Sequence, residues 1–488
     1  MRVSTAVSFA AVHGFALALT LAFPVTAEAG NIAVSEFDSI ESGRGRAAAA
    51  LADSPSAIFY NPANITRLSG LQLNLGMAVL MPRWKYVPLD GQASGATSNV
   101  SVVTPPSFSL TYNFGNFGYG DVAAGLGFYA PYGSSFSWPS DWAGRQQVQQ
   151  MTLQVFEISP VVAWRPHEMV TIGAGLRIMP ASVYLKQAVD FGDQAEGEAQ
   201  LAGTGTGIGA SAGVTVMPTE GLALALTWRG PATIRLTGES DFDFPPPFDT
   251  KAFDDDVETK LPLAQVLRLG VAYDVMPKTL NVSADLEYQM WSTYKSLSLT
   301  FLDAQGNVDS RVTPNPKVQE RNAANCWVLH LGAEYRLLEN VAVRAGYVYD
   351  SNVLPEKTVN PAPPNSDLQS VTIGGSYYFK QFGVHAHFVN TFFTPRESRT
   401  SVFPAKWEGG WGAGTMGYTV GVSLSAVFDI APSAGATPAK VEPEPVAEPP
   451  AILPQVPPSE VAPAVVEEAP ALAPVPAPVP APASQPTP

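Results

Sequence analysis

From about residue 71 onward, apolar and polar residues alternate one for one over stretches of ten or so positions, the length of a tilted bilayer crossing in strand form. In "MVTIGAGLRIM" one parity carries Val170, Ile172, Ala174, Leu176 and Ile178; the other carries Thr171, Gly173, Gly175 and Arg177. "GLALALTWRG" sets Leu222, Leu224, Leu226 and Trp228 against Ala223, Ala225, Thr227 and Arg229. "LNVSADLEYQM" sets Leu280, Val282, Leu286 and Tyr288 against Asn281, Ser283, Asp285 and Glu287. In "VAVRAGYVYD", Arg344 and Asp350 share one parity and Val341, Val343, Tyr347 and Tyr349 the other. Period-two patterning of this kind predicts β-strands with one apolar and one polar face.

A soluble sandwich shares that pattern, and the connections separate the two. Short turns fall at "NFGNFG", "RPHEM", "MPTEG", "MPKT", "LLEN" and "KQFG", with long polar segments between them. Alternating short and long connections is the layout of an outer-membrane barrel. Six short turns with both chain ends on the periplasmic side require seven long loops, and so fourteen antiparallel strands. The last, "GYTVGVSLSAVF", ends on Phe428 with the apolar parity outward, a terminal aromatic of the sort barrel-assembly machinery recognises.

Composition agrees. Charged residues are 15% of the chain, against roughly 25% for a soluble domain, yet no apolar run after residue 30 is long enough for a membrane helix. Residues 1–29 read as a signal peptide: Arg2, an apolar stretch, then Ala27-Glu28-Ala29 as the cleavage site. The expected location is the bacterial outer membrane. A net charge of −15 argues against nucleic acid, and Cys326 as the sole cysteine leaves no disulfide. Residues 429–488 change to Pro, Ala and Glu, a composition that predicts a disordered or polyproline II periplasmic tail.

A barrel of this size holds more space than its inward side chains fill. Residues 30–70, ahead of the barrel at 71–428, are moderately apolar, with a helix-prone "GRGRAAAALA" and a turn at Asn61-Pro62 wrapped in Ile58, Phe59, Tyr60 and Ile65. Such a segment has little surface to bury alone and walls to pack on inside a barrel. It reads as a plug, which disfavours a general porin.

"GRGRAAAALADSPSAIFYNPANITRLSG", with its motif Asn61, Pro62 and Ala63, resembles the hatch of the FadL/TodX family of outer-membrane transporters of hydrophobic compounds. "FYAPYGSSFSW", "ISPVVAWRPHEMVTIGAGLRI", "WSTYKSLSLTF" and "VRAGYVYDSNVLPEKTVNPAPPNSDLQSVTIGGSYYF" extend the likeness to about residue 428. The resemblance implies an all-β fold, a fourteen-stranded barrel plugged by a hatch. It implies capture of ligand among extracellular loops, an inner apolar pocket, and sideways exit at a kinked third strand. Gly125 and Gly127 are the candidate kink, because glycine weakens a ladder. The tail departs from the family's usual ending.

Among inward charges, Arg177 and Arg229 are the candidates to hold a ligand carboxylate as a fork; the alternative is a luminal salt-bridge network. Phe242, Phe244, Phe248 and Phe253, set among acids in a long loop, are candidates for an oily-ligand catch surface. His385 and His387 share a strand face without a third ligand, so no metal is expected. No hydrolase, zinc or phosphate-loop pattern occurs, so neither an enzyme nor a cofactor is expected. The expected partners are a hydrophobic ligand, outer-membrane lipid and the assembly machinery, and the expected state is a monomer. The expected function is passive uptake of long-chain fatty acids or other hydrophobic molecules. The alternative is a structural or adhesive barrel with an envelope-spanning tail.

Overall fold

The computed structural model describes residues 33–428, except 35, 52–53, 90, 92, 192–195, 247–254, 311–313, 362–363, 402 and 410–415. The expected signal peptide and tail, and Phe248 and Phe253, lie outside the described residues.

Alternating residues line up into one antiparallel sheet that closes on itself. The crossings are β1 (Leu71–Leu80), β2 (Pro106–Asn116), β3 (Asp121–Ser137), β4 (Gln150–His167), β5 (Val170–Asp190) and β6 (Glu196–Thr219). Four split crossings follow: β7 (Leu222–Arg229, then Ala232–Asp243), β8 (Asp255–Leu263, then Gln265–Met276), β9 (Leu280–Met290, then Ser296–Leu302) and β10 (Lys317–Glu320, then Cys326–Leu338). The circuit ends with β11 (Val341–Asp350), β12 (Leu368–Phe379), β13 (Phe382–Phe393) and β14 (Met416–Phe428). Eighteen paired segments, four crossings being split in two, make fourteen crossings. Closure is by β1 on β14, in register from Leu71↔Phe428 to Leu80↔Thr419. Each of the six short turns joins the pair of strands it was expected to join.

Parity sets which face meets lipid. Leu224, Leu269, Val343 and Val422 are 41–57% exposed, whereas their neighbours Ala225, Ala342 and Ser423 are buried. With no water in the bilayer core, closure pairs the strand edges within the bilayer-crossing ladders, so that side chains rather than backbone face lipid there. Strands β4, β5 and β6 run 18, 21 and 24 residues, so they rise beyond the bilayer on the long-loop side. There the first and last long loops form a small second sheet, Trp84–Pro88, Ala96–Thr97, Arg396–Ser398 and Ala405–Gly409. Its Tyr86 and Trp407 pack with Trp138 and Trp142, which stack on each other at 4.4 Å.

Two local expectations fail for physical reasons. The alanine run is not helical: α1 spans only Ser39–Gly43, and Gly45 and Arg46 take positive φ (68° and 63°). The Ala48 and Ala49 amides donate to Asp285 in β9 instead of closing a helical turn. Wall carboxylates thus override local propensity. The break in β3 falls within the expected stretch "AAGLGFYAPYG", residues 123–133, but not at its candidate glycines. Gly125 and Gly127 pair in register with Val161 and Ser159, and the register shifts between Tyr129 and Tyr132, around Pro131. Proline has no N–H to give to a ladder, so it ends pairing where glycine only weakens it.

Candidate functional site

The N-terminal segment lies inside the barrel, touching strands on every side. Helices α1 and α2 (Ala57–Tyr60) and the 3-10 turn Pro62–Arg67 are almost wholly buried. Pro62 opens that turn, and Asn61, extended at φ −161°, accepts the Ala63 amide. The Asn61 side-chain amide donates to the Ala49 carbonyl (2.7 Å) and to Thr215 Oγ1 in β6 (2.8 Å). Asn64 completes the knot. It donates to the carbonyls of Ala49 and Leu51 and accepts from Thr215. A methyl group on Gly213 would collide with Asn61, and one on Gly173 with Pro62 and Ala63. The Asn-Pro-Ala motif therefore seats on two bare strand positions, and the glycines serve close approach.

Polar groups fasten the rest of this hatch. Asp285 Oδ2 accepts the Ala48 and Ala49 amides, both at 2.9 Å, and Arg268 pairs with Asp285 and Glu287. His330 bonds the Gly45 carbonyl, Thr372 the Gly43 carbonyl, and His387 the Ser39 hydroxyl. His385 sits between Ser376 and Ser425. In the hatch, Asp38 accepts from Ser54, Ser56, Ser423 and the Ile40 amide. Burial alone would raise the Asp38 carboxyl; hydrogen bonds from Ser54, Ile40 and Ser56, with the nearby His385, hold it below its ordinary value.

Arg177 and Arg229 converge on one carboxylate that sequence reading did not single out. Glu157 of β4 is fully buried; Arg177 Nε lies 2.9 Å from it and Arg229 Nη2 2.7 Å. Arg177 also donates to the Gly230 carbonyl. Arg229 donates to the Phe59 carbonyl (3.2 Å) and lies 3.8 Å over the Phe59 ring. The two arginines thus form a charged floor joining wall to hatch. Glu157 shares a parity with Val155 and Ser159, which was the available signal.

Above this floor is a different interior. A cavity of about 400 Å³ is walled by Met151, Leu153, Val183, Leu185, Leu236, Leu261, Leu297 and Leu299, with Trp291 among its lining residues. Arg321 also lines it. The residue is 6% exposed, one Nη donates to Gln319, and its Nε finds no hydrogen-bond partner among the described residues. No local pattern marked Arg321, because it lies in the connection between the two pieces of β10. Phe242 and Phe244 touch each other, and reach Phe301 and Phe191 respectively. Phe242 packs on the cluster of Val257 and Phe301 beside the cavity. A larger cavity, about 860 Å³, opens at the periplasmic turns, but Arg67, Glu220, Lys278 and Arg336 give it charges of both signs.

At the β3 break, the ladder to β2 ends at Phe108↔Phe128. Beyond it the Val34 amide donates to the Pro131 carbonyl and Ala33 bridges Tyr132.

Residues 20–394 match the family described as outer membrane protein transport protein (OMPP1/FadL/TodX). The chain belongs to this family. Its site is the outer membrane. A FadL homologue of Pseudomonas aeruginosa superposes with a TM-score of 0.70 at 17% identity, over 82% of this chain and 100% of that one. The Ralstonia pickettii toluene transporter TbuX gives 0.61 at 17%, over 80% and 98%. The Pseudomonas putida toluene transporter TodX gives 0.61 at 16%, over 81% and 99%. These likenesses establish the FadL-like fold. By sequence, an outer membrane protein of Neisseria meningitidis serogroup B is 30% identical over 112 residues, which span 21% of this chain and 23% of that protein.

Proposed function

We propose that this FadL-family barrel takes up long-chain fatty acids, or amphiphiles like them, by passive partition from the loop surface into the upper cavity. The observation that carries this is an apolar cavity with one buried, under-bonded guanidinium. Each methylene moved from water to the leucine-lined wall contributes about 0.8 kcal/mol, which draws a long chain in without an energy source. A cavity of about 400 Å³ lies within the usual range for small-molecule sites. A neutral hydrocarbon gains the same burial but leaves Arg321 Nε unpaired, whereas a carboxylate satisfies it. Toluene, for which two of the structural relatives are named, carries no charge to pair with Arg321; this chain's cavity favours an acid. Arg177 and Arg229, shared with Glu157, serve as the floor that stops the ligand above the hatch.

Exit is proposed to be sideways at the β3 break, where β2 no longer pairs. There, among the described residues, the Val34 amide on the Pro131 carbonyl and the Ala33–Tyr132 bridge lie along the free strand edge, and so few hydrogen bonds are cheap to release. The hatch, pinned by Asn61, Pro62 and Ala63, would keep small polar solutes out while this occurs.

Arg321→Met tests the acid preference. Its Kd for oleate, by isothermal titration in detergent, should weaken roughly tenfold, as expected for one lost charge-assisted bond, while toluene binding stays unchanged. Equal loss for both ligands would mean a disturbed cavity, and no loss for oleate would refute acid recognition. Failure of the wild type to bind either would favour the structural barrel.

A further inference from the structure

The outer wall carries a cation pair that the transport path does not use. Arg235 in β7 and Lys260 in β8 both face outward, are exposed, and are direct cross-strand partners. Like charges set opposite each other destabilise a strand pair unless something neutralises them. Neither has an ion-pair partner among the described residues. Glu258 lies on the same face one row further out, opposite Thr237, and Glu239 and Asp256 face each other one row beyond that. The contrast on β5 and β6 is clear: Lys186 pairs with Glu198 at 2.6 Å, and Arg145 reaches Glu196 at 2.7 Å. Thr206 of β6 stands beside Arg235 and adds a hydroxyl to the row.

Height identifies what could meet these cations. Two positions toward the membrane from Thr206 is Ile208, 70% exposed, in a row that continues through Ile178 and Ile158 to Phe128. That row faces lipid tails. At about 3.3 Å per residue, Arg235 and Lys260 stand roughly 6–7 Å beyond it along the strands, about 5 Å in height for strands tilted by about 40°, which carries them from the tails toward the headgroups. The long loops put this edge on the extracellular side, so the headgroups are those of the outer leaflet.

We infer that Arg235, Lys260 and Thr206 form a docking site for a phosphate of an outer-leaflet lipid, the phosphorylated sugar head of lipopolysaccharide. A dianionic phosphate between the two side chains turns their repulsion into two charge-assisted hydrogen bonds, with the threonine hydroxyl as a third donor. The acyl chains of the same lipid would lie along the Ile208, Ile178 and Ile158 row, so head and tail are matched in order. Binding here would fix the tall β6–β8 wall, which bounds the upper cavity, against the leaflet.

The test uses the full-length barrel in a neutral detergent and native mass spectrometry. Bisphosphorylated lipid A is the probe, and the same lipid after phosphatase treatment is the control. The wild type should retain the phosphorylated form and lose the dephosphorylated one. Removing one cation should cost roughly fivefold in retention, and the double variant Arg235→Gln/Lys260→Gln at least tenfold, by the usual contribution of a basic residue at an anionic membrane surface. Lys186→Gln, a cation already paired, should change little. Equal retention of both lipids by the wild type, or a heat-modifiable double variant that retains lipid A undiminished, would overturn the site. Should the double variant fail to fold, the two-lipid comparison on the wild type decides alone.

Discussion

The lower and upper parts of this lumen belong to one closed wall of alternating strands, yet one is locked and the other open. Below, inward positions are Asp285, Glu287, Arg268, His330, Thr372 and Ser423, and each reaches the hatch or a neighbour that does. Above, the inward positions of the same wall are Leu153, Val183, Leu236, Leu261 and Leu299, and they enclose free volume. Polar side chains are directional and need partners, so they pull a plug into one fixed pose. Leucines make no such demand and leave a space that any apolar chain can enter. Passive transport needs both: a shape that cannot drift, and a surface that does not specify.

The largest test strikes the boundary between the halves. Glu157→Gln leaves Arg177 and Arg229 buried against a neutral amide, and breaking a buried pair in this way costs about 3–5 kcal/mol. The expected result is a lower thermal midpoint and loss of hydrogen-exchange protection over α2, because Arg229 also holds the Phe59 carbonyl. A variant with unchanged protection there would show that the floor does not hold the hatch. Next in size is the wall itself. Leu224→Arg puts a cation into lipid at about 2–4 kcal/mol and should abolish insertion, read by protease protection in membranes. Ala225→Arg, one residue on, faces the lumen but meets Ala49, Ala50 and Leu51 of the hatch. It should insert and yet expel the hatch segment. Equal insertion of both variants would contradict the assigned parity.

These variants also mark what could be read from sequence. Strand parity was legible because lipid and lumen impose opposite polarity at every second position, so each strand repeats the message. The six short turns were legible because proline, glycine and charge cluster there. Other features depend on residues far apart in the chain. The Ala47–Ala50 run has helical propensity, and only the distant Asp285 explains its irregular path. Glu157 was a single charge on an inward parity, and nothing nearby told that it would gather Arg177 and Arg229 from two other strands. The upper cavity is assembled from the tops of seven strands, β4 to β10, and Arg321 reaches it from a loop with no motif. The β3 break was expected at glycines, the residues that permit a bend, when Pro131 was the residue that forbids pairing.

The smallest expected effect concerns acid, and it separates the two halves most cleanly. Asp38 is held below its ordinary value inside the hatch, so the folded state favours its ionised form. The sign follows: its contribution is complete above the unfolded value of about 3.9 and is lost as pH falls through the lower folded value. Hatch docking should therefore be flat from neutral pH to about pH 5 and weaken only in stronger acid. Protonation would place a hydrogen on one of the two oxygens that Ser54 and Ser56, or Ser423 and the Ile40 amide, donate to, and would weaken the other as an acceptor. Hydrogen exchange of the α1 peptide, corrected for the intrinsic rate at each pH, reads this directly. Protection should fall on acidification in the wild type, and Asp38→Asn should show lower protection with a flatter pH profile. Oleate affinity of the upper cavity, measured with a pH-insensitive analogue such as an alkyl sulfate, should not follow that profile, since the leucine wall does not titrate. Protection that rises in acid, or an Asp38→Asn profile identical to the wild type, would mean that Asp38 is not what anchors α1 to β14.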